Sequence, residues 1–349
     1  METSFFSRQA SKMNQSHLNS TSEDHSPSVI CTKNTSITRV VFPCLYALLF
    51  FAAAIFNSLA AWIAFHLPSS KTFVVYLKNM VVADLLTTVT ILIKVISDSE
   101  LGSWQLQAFT CRFSAVVFYF TMYMSIILLG LISLERFVKI DESFAKNLIQ
   151  NPTFAKVLTV IIWIVLFSTT ALPNMVLTDK APTPSSEKDC MLLKGSLGVY
   201  WHEAVICITK IIFWTVFALM VTFYTLISKK VHESYRNSKS NDKNPKRKTK
   251  AKVFIIVGVF FVCFTPYHFV RISYTLTQIE KGSNCEKHVV LYILKESTLW
   301  LSASNICLNP VIFIFLCKSF RQMLLKTLRL KKSLPVDLTN LESAANGSD

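Results

Sequence analysis

Charge is scarce in this chain. Only 16% of its 349 residues are Asp, Glu, Lys or Arg, against 52% hydrophobic, and mean hydropathy is +0.42. Soluble domains ordinarily carry about 25% charged residues, so a soluble protein is disfavoured, and the membrane-length apolar runs of this chain exclude a soluble enzyme. Catalytic and cofactor motifs are missing as well. The sequence shows no CxxC pair to hold zinc, no Walker loop and no triad pattern, so no enzymatic activity and no cofactor are expected. Ten-residue alternating segments are absent, which removes a membrane β-barrel. No internal repeat is visible, which weighs against a repeat-built transporter. Met1 opens no signal-peptide pattern, so the first apolar run is expected to direct its own insertion.

What the sequence has instead is long apolar runs. A bilayer core about 30 Å thick takes roughly 20 apolar residues as a helix, and backbone in hydrocarbon must bond to itself. Seven runs qualify, at about 38–66, 73–98, 108–138, 153–176, 204–232, 250–277 and 289–317. The fold class is therefore an all-α membrane protein, a seven-transmembrane helix bundle. The formal charge of +15 gives it a direction. Ten Lys and Arg between Lys229 and Lys252 face only Glu233 and Asp242, and Lys318, Arg321, Lys326, Arg329, Lys331 and Lys332 follow the last run. Basic loops mark the cytoplasmic side, so the excess reflects topology and anionic lipid, with no nucleic acid as partner. The N-terminus is then extracellular, consistent with sequons at Asn14, Asn19 and Asn34. The expected organisation is a glycosylated outer tail over 1–37, the membrane domain over 38–317, an amphipathic membrane-surface helix over 318–332 and a disordered inner tail over 333–349. Nine cysteines are present. Cys31, Cys111, Cys190 and Cys285 fall outside and allow three pairings. Cys44, Cys207, Cys263, Cys307 and Cys317 read as small buried residues, with Cys317 also a palmitoylation candidate.

Polar residues at membrane depth are costly, so they mark function or helix contacts. In CFTPYHFVRISYT, His268, Arg271 and Tyr274 share one helix face. Lys295 adds a cation near the start of the seventh run. Three readings stay open: these cations line a cavity that receives an anion, they pair between helices with Glu296 or Asp98, or Lys295 snorkels to the outer interface. A retinal protein is excluded, because Lys295 precedes Pro310 by about 22 Å along a helix.

The marks at fixed places resemble the rhodopsin-like G-protein-coupled receptors: Asn57, Asp84 in NMVVADLL, Glu135-Arg136 in SLERF, Trp163, Pro266 in CFTP, and Asn309-Pro310 in LNPVIF. A narrower resemblance, carried by TFVVYLKNMVVADLL, AVVFYFTMYMSI, LPNMVLT, FFVCFTPYHFVRISYT and LKESTLW, is to the metabotropic purinergic receptors. Among these it is to the Gi-coupled subgroup that responds to ADP or UDP-sugars. The outer-loop stretches SDSELGSWQLQAFTCRFS and TPSSEKDC look most like an ADP-responsive member.

The resemblance implies a receptor for extracellular nucleotide, ADP first, that acts through Gi to lower cyclic AMP. Its alternatives are a UDP-sugar or other anionic-ligand receptor, or a weakly coupling receptor acting in heteromers or as a dimer. The implied ligand set is Tyr119, Tyr123, Asn174, Lys194, His202, His268, Arg271, Tyr274, Gln278 and Lys295. Glu135, Arg136, Asn309, Pro310 and Phe313 would couple to the G protein. Asn57 and Asp84 would form a polar core, with a sodium ion near Asp84. The implied disulfides are Cys111–Cys190 and Cys31–Cys285. Leu92, Ile206, Lys210, Ser273 and Phe313 depart from the subgroup's pattern, and Asn309 stands where the subgroup carries aspartate.

Overall fold

The computed structural model describes residues 40–99, 103–140, 146–181, 190–237, 244–279 and 285–328. Among them, seven helices are long and apolar enough to cross a membrane. Helix α1 is Phe42–His66 and α2 is Thr72–Asp98. Helix α3 runs over 104–140 with a widened turn at Thr110–Ser114. Helix α4 is Pro152–Val176, widened at Phe167–Ala171 just before Pro173. Helix α5 is Ser196–Asn237 and α6 is Asn244–Ile279. Helix α7 is Cys285–Ala303 and Asn305–Leu316 joined at Ser304, and α8 is Lys318–Thr327.

Local chemistry explains the ends. Asn151 caps α4 by accepting the Thr153 N–H at 2.8 Å, with Pro152 in the first turn. Leu67 is extended and followed by Pro68, which stops α1. Helix α5 starts eight residues before the sequence-predicted boundary. Gly198 allows this: a Cβ there would meet the Leu177 carbonyl oxygen at 2.4 Å, so α5 can begin against the end of α4.

The core runs along the inner helix faces through Tyr46, Met80, Leu129, Phe213, Phe260, Phe264 and Phe313. Large apolar side chains also cover the outside, among them Leu48, Phe51, Ile55, Val160, Ile164, Ile211 and Val262. In water such a surface would be a liability; on a membrane bundle it is the lipid face. Polar links tie the helices together. The Trp163 indole donates to Asn79 at 2.9 Å, joining α4 to α2, and Trp300 donates to the Leu45 carbonyl at 3.1 Å, joining α7 to α1. The Ser302 hydroxyl donates to the Cys263 carbonyl at 2.9 Å, one turn before Pro266, where α6 lacks a backbone donor.

The cysteines correct one expectation. Cys263 and Cys317 are buried and Cys307 is half-buried, but Cys44 and Cys207 are exposed on the apolar outer face. Apolar context alone does not say which way a helical thiol points. Cys317 caps α8, its sulfur accepting the Phe320 N–H at 3.4 Å, and burial raises its thiol pKa. A buried capping thiol is a poor acylation site.

Candidate functional site

The face carrying His268 and Arg271 turns inward at the outer half of the bundle. Arg271 donates to the Tyr267 hydroxyl at 3.0 Å and to the Tyr123 hydroxyl at 3.3 Å. Its guanidinium also lies 5.6 Å from the ring centres of both Tyr119 and Tyr267. Aromatic faces and phenol oxygens thus hold the charge in place of bulk water.

His268 is fixed from three sides. Its Nδ1 lies 2.9 Å from the Phe264 carbonyl, which can only accept, so Nδ1 carries the proton. Nε2 of the neutral ring then accepts from the Tyr123 hydroxyl at 3.1 Å, leaving the phenol oxygen free to accept from Arg271. The ring stacks on Phe213 of α5 at 3.7 Å. A chain of donors therefore runs from Arg271 through Tyr123 to His268, joining α6 to α3.

Lys194 enters from the second outer loop and is buried at 6% exposure. Its amine donates to Asn174 Oδ1 at 3.1 Å and to Thr178 Oγ1 at 3.0 Å. Burial without a described carboxylate partner lowers its pKa from the ordinary lysine value. His202 of α5 lies within electrostatic reach of both Lys194 and Arg271.

The other two cations pair with carboxylates of their own helices, not between helices as one reading of Lys295 expects. Lys295 binds Glu296 at 2.7 Å, and Lys94 binds Asp98 at 2.7 Å. Lys295 also lies over the rings of Tyr274 and Tyr292, and Lys94 over that of Tyr46. An ion pair costs less than a lone charge at this depth. Two of the cations thus meet carboxylates on their own helices, while the described contacts of Arg271 include phenol oxygens and aromatic faces and those of Lys194 an amide and a hydroxyl. Sequence reasoning does not single out Tyr267, Phe213 or Thr178. Tyr267 carries a usable signal, standing four residues before Arg271 on the same face; Phe213 and Thr178 lie on other elements and carry none. The Gln278 side chain lies outside the described residues.

Deeper in the bundle, the Asn309 amide donates to both oxygens of Asp84 at 2.9 Å. Asn57 of α1 and Asn305 of α7 are also buried, and both amide atoms of Asn57 lack a described partner. At the inner end, Arg136 Nε lies 3.1 Å from Glu135 Oε2 but without hydrogen-bond geometry. Phe313 packs edge-on against Phe320, joining α7 to α8. Cys111 and Cys190 are bonded, with Cα atoms 5.3 Å apart. The expected Cys31–Cys285 bridge and the sequons at Asn14, Asn19 and Asn34 lie outside the described residues.

Residues 56–313 match the family described as 7 transmembrane receptor (rhodopsin family). The chain is 50% identical over 294 residues to purinoceptor 13 of Homo sapiens, covering 84% of this chain and 83% of that protein. Against purinoceptor 13 of Rattus norvegicus, identity is 48% over 290 residues, covering 83% and 85%. Purinoceptor 14 of Bos taurus is 43% identical over 301 residues, covering 86% and 89%. Seven membrane-length helices, the inward polar marks and these likenesses converge: the chain belongs to the rhodopsin family of G-protein-coupled receptors, in its purinergic group, and is a multi-pass plasma-membrane receptor rather than an enzyme.

Proposed function

We propose that this receptor binds extracellular ADP and signals through Gi to lower cyclic AMP. The observation that carries the reading is the Arg271 guanidinium, held inside the outer half of the bundle by Tyr123 and Tyr267, with Lys194 and Lys295 on neighbouring elements. Guanidinium presents a planar fork that matches phosphate, and lysine presents a point charge. Tyr119, Tyr123 and Tyr274 offer rings and hydroxyls to the base and ribose. Asn174, His202, His268 and Gln278 complete the set by resemblance. The relatives' name, purinoceptor, fits the same ligand class.

Glu296 gives the binding event a cost and a direction. A phosphate reaching Lys295 competes with a carboxylate already 2.7 Å away. The exchange draws α7 toward Arg271 on α6. Differential contact of this kind is what biases a two-state bundle. Pro266, Ser304 and Pro310 interrupt α6 and α7 between the pocket and the inner end, where bends are cheapest. The movement ends at Glu135 and Arg136, where the G protein docks in this reading, with Asn309 and Phe313 along the way. The polar core of Asn57, Asp84 and Asn309 offers a single carboxylate with amide oxygens. Asn57 Oδ1 and Asn309 Oδ1 lack a described partner, a donor set suited to a monovalent cation such as sodium.

The test is a cyclic AMP assay in cells expressing the chain at matched surface levels. ADP should lower cyclic AMP, and Arg271→Ala should cut its potency by about 30-fold or more, the cost of truncating a buried charge partner. Unchanged potency in Arg271→Ala removes the phosphate role. A response to UDP-sugars without one to ADP moves the assignment to that ligand class.

A further inference from the structure

The docking arginine poses a problem of its own. Arg136 carries a full charge at the inner end of α3, with 17% of its side chain exposed. Its contact with Glu135 lacks hydrogen-bond geometry. Among the described side chains, the neighbouring helices offer little else. The sequence of α6, Asn244–Ile279, contains no Asp or Glu, and its inner end is Lys246, Arg247, Lys248, Lys250 and Lys252. Helix α8 contains none either. The acidic residues of α2, Asp84 and Asp98, lie at mid-membrane depth and at the outer end. A carboxylate lock from α6 or α8 is therefore impossible in this chain.

An aromatic ring does what those helices cannot. The Arg136 guanidinium lies 4.6 Å from the centre of the Phe73 ring, at the start of α2. That is inside the distance at which a ring quadrupole attracts a cation. Phe73 itself is only 5% exposed and belongs to the core, so the ring is held in position and the contact is partly desolvated.

We propose that Phe73 is the positioning residue that holds Arg136 in the resting receptor, a cation–π latch between α2 and α3 in place of a carboxylate on α6. Arg136 must leave the ring to meet the G protein, so the strength of the contact sets the basal activity. Phe73 touches neither ligand nor reacting group; it acts through Arg136. The inference rests on family membership and needs no particular ligand.

The full-length receptor in lipid nanodiscs tests it without agonist. Phe73 is replaced by mono-, di- and trifluorophenylalanine, which keep shape while weakening the ring's negative face, and separately by Leu and Trp. Basal guanine-nucleotide exchange on purified Gi should rise stepwise with fluorination. It should rise roughly three- to tenfold in Phe73→Leu and return to the wild-type level or below in Phe73→Trp. Hydrogen exchange across residues 133–140, measured without G protein, should rise in the same order. A flat response across the fluorinated series overturns the latch. So does an increase in Phe73→Leu that fluorination does not reproduce, because that reports packing alone. If Gi shows no exchange with any variant while hydrogen exchange still follows the series, Gi coupling fails and the latch stands. The fluorinated residues are nearly isosteric, so misfolding of Phe73→Leu leaves the series decisive.

Discussion

Lys194 is nearly out of solvent and donates to an amide and a hydroxyl, neither of which can neutralise it. The fold therefore disfavours its charged form, and its pKa falls below the ordinary 10.5. Between the lowered value and 10.5 the folded state binds fewer protons than the unfolded chain, so stability from this group rises with pH through that window. The penalty is complete at pH values below the window. Lys194→Gln keeps a donor for Asn174 and drops the charge. It should raise the melting temperature of the unliganded receptor at pH 7 by roughly 1–3 °C. That gain should shrink toward zero as the pH approaches 10.5, which a thermal-unfolding series across pH will show. The same reasoning makes Lys194 useful: a buried charge that costs stability in the empty receptor is one an incoming anion can relieve.

At the scale of elements, two helices meet where only glycine fits. A Cβ on Gly198 would lie 2.4 Å from the Leu177 carbonyl oxygen and 3.2 Å from Lys194 Cβ. The nearest obstacle is backbone, so α5 would have to lift off the end of α4, carrying His202 with it. Gly198→Ala should lower the melting temperature by several degrees, in keeping with an overpacking cost of about 1–3 kcal/mol, and reduce surface expression. Gly258 of α6 is the control. A Cβ there meets nothing within 4 Å, and Ala is the better helix former, so Gly258→Ala should leave surface expression unchanged or raise it. The pair also explains why the start of α5 is hard to read from sequence. In GSLGVYWHE the two glycines suggest a loop, and only the approach to Leu177 shows that Gly198 serves a helix contact.

Across the whole molecule, the Cys111–Cys190 bond links positions 79 residues apart and ties the second outer loop to the head of α3. Lys194 follows four residues later, so the bond helps fix where that amine enters the bundle. Closing a long loop of this kind typically contributes about 2–4 kcal/mol. The Cys111→Ser/Cys190→Ser double variant should lose several degrees of melting temperature and weaken nucleotide binding. A double variant with wild-type stability and affinity would mean that the loop is held by its packing alone. This pairing is one of three that the outer cysteines allow; the resemblance selects it, and the structure contains it.

The number of spans, their sidedness and the family are legible in the sequence. Hydropathy, basic loops and motifs such as NMVVADLL and LNPVIF are properties of contiguous residues. So is the shared face of His268 and Arg271, because helical spacing is local. The rotation of each helix about its own axis is not legible, and that rotation decides the rest. It sends Cys44 and Cys207 outward. It brings Lys295 onto its immediate neighbour Glu296, though adjacent helical residues ordinarily point apart. It sets Phe73 beside the guanidinium of Arg136, on a different helix. Packing between helices fixes those rotations, and no stretch of one helix encodes the partner it will meet.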